Sequence, residues 1–194
     1  MNRTGSLARK TGETDIFVSL DLDGEGVSQV DTGIGFFDHM LSAVAKHGLI
    51  DLTVRVQGDL AVDGHHTVED TGIVFGAALA QALGDKKGIR RVGSCFLPMD
   101  ESLAFCALDI SGRPYLAFDA AFPAEMCGGY ASELTEEFFR AVSVSSGITL
   151  HLKAEGRNTH HMIEALYKAF ARALRDAAAL DPRVKGVPST KGVL

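Results

Sequence analysis

A duplicated α+β fold is what this sequence predicts: two similar halves, about residues 1–92 and 93–194, each a β-sheet packed against helices, related by a pseudo-two-fold axis. Two observations predict it. Four blocks recur in the same order in both halves: a helical stretch beginning near a double phenylalanine, a strand, a turn, and a His-His-x-x-Glu opening an alanine-rich helix. Within these blocks, apolar residues alternate where a strand is expected and recur at intervals of three and four where a helix is expected. A repeat nearly half the chain long points to duplication of one unit rather than to a solenoid.

Taken in order, residues 15–22 alternate through Ile16, Val18, Leu20 and Leu22 and run into Asp23-Gly24-Glu25-Gly26, a strand entering a turn. A helix follows from Phe36-Phe37, and residues 51–56 alternate again through Leu52, Val54 and Val56. The segment 48–54 resembles 147–153, and His65-His66-Thr67-Val68-Glu69 matches His160-His161-Met162-Ile163-Glu164. Helical patterns continue over 76–83 and 165–180. Residues 102–110 and 115–118 read as strands flanking the turn Ser111-Gly112-Arg113-Pro114. In the second His-His helix, Ile163, Leu166, Tyr167, Phe170 and Leu174 form one apolar stripe, capped by Asn158 or Thr159 and stopped before Pro182.

Composition narrows the class. The 194 residues are 46% hydrophobic and 23% charged, enough for a sizeable core. Nineteen Lys and Arg against twenty-five Asp and Glu give a net charge of −6, which argues against a general nucleic-acid binder. The longest apolar run without a charge, 71–84, has 14 residues, short of the roughly 18 a spanning helix needs, so no membrane partner is expected. Arg3, Arg9 and Lys10 precede no apolar stretch, so no secretory signal is expected. Cys95, Cys106 and Cys127 are odd in number and widely spaced, which fits a reducing cytoplasm better than a disulfide framework.

The paired histidines carry the chemistry. Residues i and i+4 of a helix share a face, so Glu69 can stand beside His65 or His66, and Glu164 beside His160 or His161. Adjacent histidines diverge by about 100°, so each pair more naturally serves two metal ions than one. The positive helix end disfavours imidazolium and keeps a lone pair available. Imidazole with carboxylate and no thiolate suits manganese, iron, zinc or nickel. One His-x-x-Glu is usually a surface pair; two copies at the same place in a repeat argue for metal. His39, after Asp38, and Glu137, before Phe138, occupy nearly corresponding places and could each complete one of two pseudo-symmetric sites. His47 reads equally well as a helix C-terminal residue, and the strand alternation turns His151 to the outer face.

At these residues the chain resembles the imidazoleglycerol-phosphate dehydratase family over essentially its whole length. The matching segments are Phe36-Phe37-Asp38-His39-Met40-Leu41, Asp63-Gly64-His65-His66-Thr67-Val68-Glu69-Asp70, Pro98-Met99-Asp100-Glu101, Ser111-Gly112-Arg113-Pro114, Asn158-Thr159-His160-His161 with Glu164-Ala165, and Pro188-Ser189-Thr190-Lys191-Gly192. The resemblance implies dehydration of imidazole glycerol phosphate to imidazole acetol phosphate in histidine biosynthesis through a metal-stabilised imidazolate. It further implies two manganese ions per active site and a homo-oligomer of 24 subunits built from trimers. By the family pattern, His39, His66, His160 and Glu164 would hold one metal, and His65, Glu69 and His161 the other. The family often has a histidine where this chain has Glu137; a carboxylate can replace imidazole on manganese, so Glu137 is kept as a ligand. The fused phosphatase of some relatives is not expected.

The same resemblance assigns Glu13, in Lys10-Thr11-Gly12-Glu13-Thr14, as the base; taken alone it is an exposed acid beside a first strand. For the phosphate it offers Arg91, Arg113 and Lys191, with hydroxyls from Ser189 and Thr190 and Lys168 as a helper, and His39 and His47 would also meet the substrate. Arginine grips phosphate with a planar fork and lysine as a point charge. Asp100 and Glu101 stand as supports behind the ligands. A dinuclear hydrolase and a structural metal staple are the competing readings; separate phosphate-reading cations favour the lyase.

Overall fold

The computed structural model describes residues 3–194. The first half holds strands β1 (Thr4–Lys10), β2 (Thr14–Asp21) and β3 (Ser28–Asp31), helix α1 (Gly35–Gly48), strand β4 (Asp51–Gly58) and helix α2 (His65–Leu83). The second repeats that order with β5 (Val92–Met99), β6 (Ser102–Asp109), β7 (Tyr115–Ala120), α3 (Leu134–Ser146), β10 (Thr149–Glu155) and α4 (Thr159–Ala178). A two-stranded ribbon, β8 (Met126–Cys127) and β9 (Tyr130–Ala131), is inserted before α3. The sheet orders β1-β2-β4-β3 and β5-β6-β10-β7 are the same topology, antiparallel except for the β3–β4 and β7–β10 pairs.

The expected duplicated α+β architecture is therefore the one observed. Each sheet is half-buried: Ile16, Val18, Leu20, Leu52 and Val54 of the first, and Ala104, Cys106, Leu108, Leu150 and Leu152 of the second, face inward and are almost fully buried. The helices pair across the halves, α1 against α4 and α2 against α3, while α2 covers the first sheet and α4 the second. Phe37, Phe138, Phe139, Tyr130 and Tyr167 fill the join; the Phe138 and Tyr167 rings stack 5.3 Å apart.

Two glycines show how closely the halves repeat. A Cβ on Gly5 would stand 1.9 Å from the Ala78 carbonyl oxygen, and one on Gly93 2.1 Å from that of Ala173. In both halves an outer strand thus lies directly on the backbone of its covering helix.

The structure corrects the register of the repeat by one residue. Residues 48–54 do not align with 147–153; Leu49 aligns with Gly147. Both sit in the left-handed region, φ 52° and 71°, and close their helices by donating to the Ala45 and Ser143 carbonyls. Gly48 is still inside α1, so the two glycines had matched in letter but not in role. The corrected register aligns Phe138-Phe139 with Met40-Leu41 and sets Glu137 opposite His39.

Gly147 offers a clean test of that cap. A Cβ there would find Gly112 no closer than 3.4 Å, so an added methyl meets only the conformational penalty of a left-handed residue. Gly147→Ala should cost about 1 kcal/mol in urea unfolding, with little change in activity.

Candidate active site

Both His-His pairs open their helices as expected, α2 starting at His65 and α4 at Thr159, where Asn158 caps by accepting from the His161 backbone N–H at 3.3 Å. The helix phase then assigns each glutamate to the first histidine of its pair. His160 Nε2 lies 3.1 Å from Glu164 Oε2, and His65 Nε2 lies 3.7 Å from Glu69 Oε2.

His39, from the other half, joins the first of these. Because α1 packs on α4, its Nε2 comes within 3.5 Å of Glu164 Oε2, and one donor atom from each of His39, His160 and Glu164 lies within 4.8 Å of the others. Two imidazoles and a carboxylate at this spacing could hold a divalent ion such as manganese or zinc. Phe36 meets the His160 ring edge-on at 5.1 Å and fixes its plane. Glu164 is buried, which pulls its carboxyl up; Lys168, donating to Oε1 at 2.6 Å, and the two histidines outweigh burial and hold it below the ordinary value.

The second histidines face other acids. His66 Nδ1 is 3.0 Å from Asp59 Oδ2, and its Nε2 is 3.7 Å from Glu13 Oε1. His161 Nδ1 is 2.9 Å from Glu101 Oε2. Hydrogen bonding to Asp59 raises the pKa of His66, and hydrogen bonding to Glu101 raises that of His161. Glu101 itself is lowered to about 2, first by His161 and then, against burial, by the Ser102 hydroxyl and backbone N–H groups. A ring that donates from Nδ1 keeps its Nε2 lone pair for a metal.

One chain therefore does not unite the two ligand sets expected from the sequence. His66 stays with Asp59 and Glu13 rather than with His39, His160 and Glu164, and His161 stays with Glu101 rather than with His65 and Glu69. Glu137 lies 3.7 Å from Arg140 Nε, beside a cleft lined by Phe118, Phe122 and Glu133. A cavity of about 440 Å³ opens where His65, Asp63 and Gly64 at the α2 start face Glu133 and Leu134 at the α3 start.

Glu13 stands in the turn between β1 and β2, which Thr11 ties by accepting backbone N–H bonds from Glu13 and Thr14 at 3.1 and 3.0 Å. The Thr14 hydroxyl donates to buried Asp70 of α2 at 2.5 Å, which anchors that turn over the helix start. The Glu13 side chain is 56% exposed and accepts no hydrogen bond among the described residues.

The cationic residues divide. Arg91 is engaged by the Asp109 carboxylate through Nε at 2.6 Å and Nη2 at 2.9 Å, and it donates to the Pro188 carbonyl at 2.9 Å. That places Ser189, Thr190 and Lys191 beside it, with Ser189 Oγ accepting from the Lys191 backbone N–H. Arg113 is 4.0 Å from the same Asp109 and largely exposed, so its fork remains open. Lys168 stands instead with Glu164. His47, in the last turn of α1, has its pKa lowered by burial and then by Lys168 and Arg172. His151 faces outward beside Tyr115.

Asp59 escaped sequence reasoning altogether, and Glu101 entered only as a support. An acid following a strand-end glycine reads as a turn, and its counterpart in the repeat, Arg157, is not an acid, so no sequence signal marked it.

Fold and site together define a duplicated α+β enzyme whose acid–base side chains gather at helix starts. Residues 32–174 match the family model for imidazoleglycerol-phosphate dehydratase. The chain is 65% identical over 193 residues to the imidazoleglycerol-phosphate dehydratase of Symbiobacterium thermophilum, spanning 99% of this chain and 93% of that one. It is 61% identical to that of Acetivibrio thermocellus, with both chains fully covered. The crystal structure of the Staphylococcus aureus dehydratase superposes with a TM-score of 0.84 at 41% identity, covering 92% of this chain and 99% of that one. This chain belongs to the imidazoleglycerol-phosphate dehydratase family, and it is an enzyme of the hydro-lyase class.

Proposed function

We propose that the chain dehydrates imidazole glycerol phosphate to imidazole acetol phosphate in histidine biosynthesis, with two manganese ions per active site. The observation that carries this reading is the cluster of His39, His160 and Glu164, assembled from both halves of a chain in the dehydratase family. His66 would complete that ligand set and His65, Glu69 and His161 the second, with Glu137 supplying a carboxylate at the place His39 holds in the other half. Since one chain leaves these groups apart, copies of the chain would bring them together, in an assembly of 24 subunits by family likeness. No helix among the described residues is long and apolar enough to cross a membrane; the free thiols at Cys95, Cys106 and Cys127 fit our assignment to the cytoplasm.

The reaction removes hydroxide from the carbon attached to the ring and a proton from its neighbour, and the resulting enol becomes the ketone. His39, His160 and Glu164 would hold manganese, which when bound would supply Lewis acidity toward the imidazole ring and so favour departure of the hydroxyl. Glu13, exposed and accepting no hydrogen bond among the described residues, takes the proton. Glu164 and Lys168 keep charge balanced beside His39, and His47, within electrostatic reach of both, would also meet the substrate. Arg113, Lys191, Ser189 and Thr190 bind the phosphate, while Arg91, engaged by Asp109 and Pro188, holds their loop in place.

Incubation of the protein with imidazole glycerol phosphate and manganese should yield the keto product; release of inorganic phosphate instead would overturn the dehydratase reading. In the same assay Arg113→Ala and Lys191→Ala should raise KM with metal content unchanged. Each loses a charge-assisted hydrogen bond worth about 1.5–3 kcal/mol. Unchanged kinetics in both would place the phosphate elsewhere.

A further inference from the structure

We infer that Asp59 is a positioning residue: it braces His66 and so leaves Glu13 unengaged, doing in the first half what Glu101 does in the second. The inference rests on the dehydration reading above.

The repeat makes the comparison. Glu13 precedes β2 and Glu101 precedes β6, so both stand at the same corner of their hairpins. His66 and His161 are the second histidines of their pairs, and Asp59 and Arg157 each follow the glycine at the end of β4 and just past β10, Gly58 and Gly156.

In the second half Glu101 is saturated. Its Oε2 accepts from His161 Nδ1 at 2.9 Å, and its Oε1 accepts from the backbone N–H of Asn158 at 2.9 Å, that of Arg157 at 3.2 Å, and the Ser102 hydroxyl at 2.9 Å. A carboxylate so committed has no lone pair suitably placed for a substrate proton. Arg157, at the place Asp59 takes in the first half, is a donor only and cannot accept from an imidazole N–H. The brace for His161 must come from the hairpin, and it does.

The first half reverses the supply. Asp59 presents both oxygens to His66 Nδ1, at 3.0 and 3.3 Å, so the brace comes from the end of β4. The hairpin acid is then released: Glu13 makes none of the four contacts of Glu101 and lies 3.7 Å from the other ring nitrogen. A carboxylate only accepts, so Nδ1 carries the hydrogen and Nε2, on the Glu13 side, keeps its lone pair.

The test compares manganese affinity, read by electron paramagnetic resonance of the free ion, with steady-state kinetics for the intact protein. Asp59→Ala should weaken manganese binding by about 10–100-fold and lower kcat, with KM for the substrate near wild type because the phosphate-binding residues are untouched. Asp59→Asn, whose amide oxygen still accepts from Nδ1, should recover most of the affinity. Wild-type affinity and kcat in Asp59→Ala would overturn the assignment, as would equal impairment of the alanine and asparagine variants. Should the alanine variant fail to fold, Asp59→Ser, too short to reach the ring, carries the same expectation. If the wild-type protein forms no keto product, the dehydration reading fails, and the manganese comparison still decides the role of Asp59.

Discussion

Replacing Glu13 by glutamine should lower turnover by about 10²–10⁴, the usual contribution of a positioned base. Glutamine keeps the size and reach of the side chain and removes the lone pair that would take the proton. The variant should still bind metal and substrate, because Glu13 stands off His66 Nε2 at 3.7 Å, without a hydrogen bond that glutamine would lose, and makes no contact with His39, His160 and Glu164 or with the loop held by Arg91. The turn should persist as well: Thr11 binds the Glu13 backbone, and Thr14, not Glu13, anchors it to Asp70. Exchange of the substrate's carbon-bound proton with deuterium, if seen in the wild type, should fall with turnover. Near-normal turnover would remove Glu13 from the mechanism. The saturated Glu101 would not be its substitute, which leaves the exposed Asp100 as the next acid to test.

The second large effect is expected from chelation. Stripping the protein of metal should abolish activity and shift it toward smaller species in ultracentrifugation, because within one chain His66 lies with Asp59 and His161 with Glu101 rather than with their expected partners. Full activity in metal-free protein would sink the proposed chemistry. Lowering the pH should act in the same direction. Imidazole binds metal only when deprotonated, so affinity should fall as pH drops through its ordinary pKa of about 6.5.

How much of this was legible in the sequence differs from element to element. β2, β4, β6 and the amphipathic α4 declare themselves because one face of each is apolar and buried. β1 does not, since its one buried residue is Gly5, which rests on the α2 backbone and contributes no hydrophobic signal. The ribbon β8–β9 is two residues per strand, too short for any period. In the site, the His-His-x-x-Glu repeat exposed most of the imidazoles. Which histidine faces which carboxylate depended on helix phase and on acids distant in sequence. Asp59 was silent for that reason, and the partners of His66 could not be read from spacing.

The pairing of α1 with α4 has a consequence for how the protein comes into being. His39 and Glu164 lie on different repeats, so a half expressed alone would carry histidine pairs but not the cluster that joins them. During folding, that cluster must wait for the first and last helices to meet, which makes it a late, long-range event. Before duplication, a single half could have formed it only by pairing with a second copy, and both resulting clusters would have been identical. Joining the copies in one chain is what lets Glu137 stand opposite His39, and Arg157 opposite Asp59, so that corresponding positions of the two halves carry different side chains.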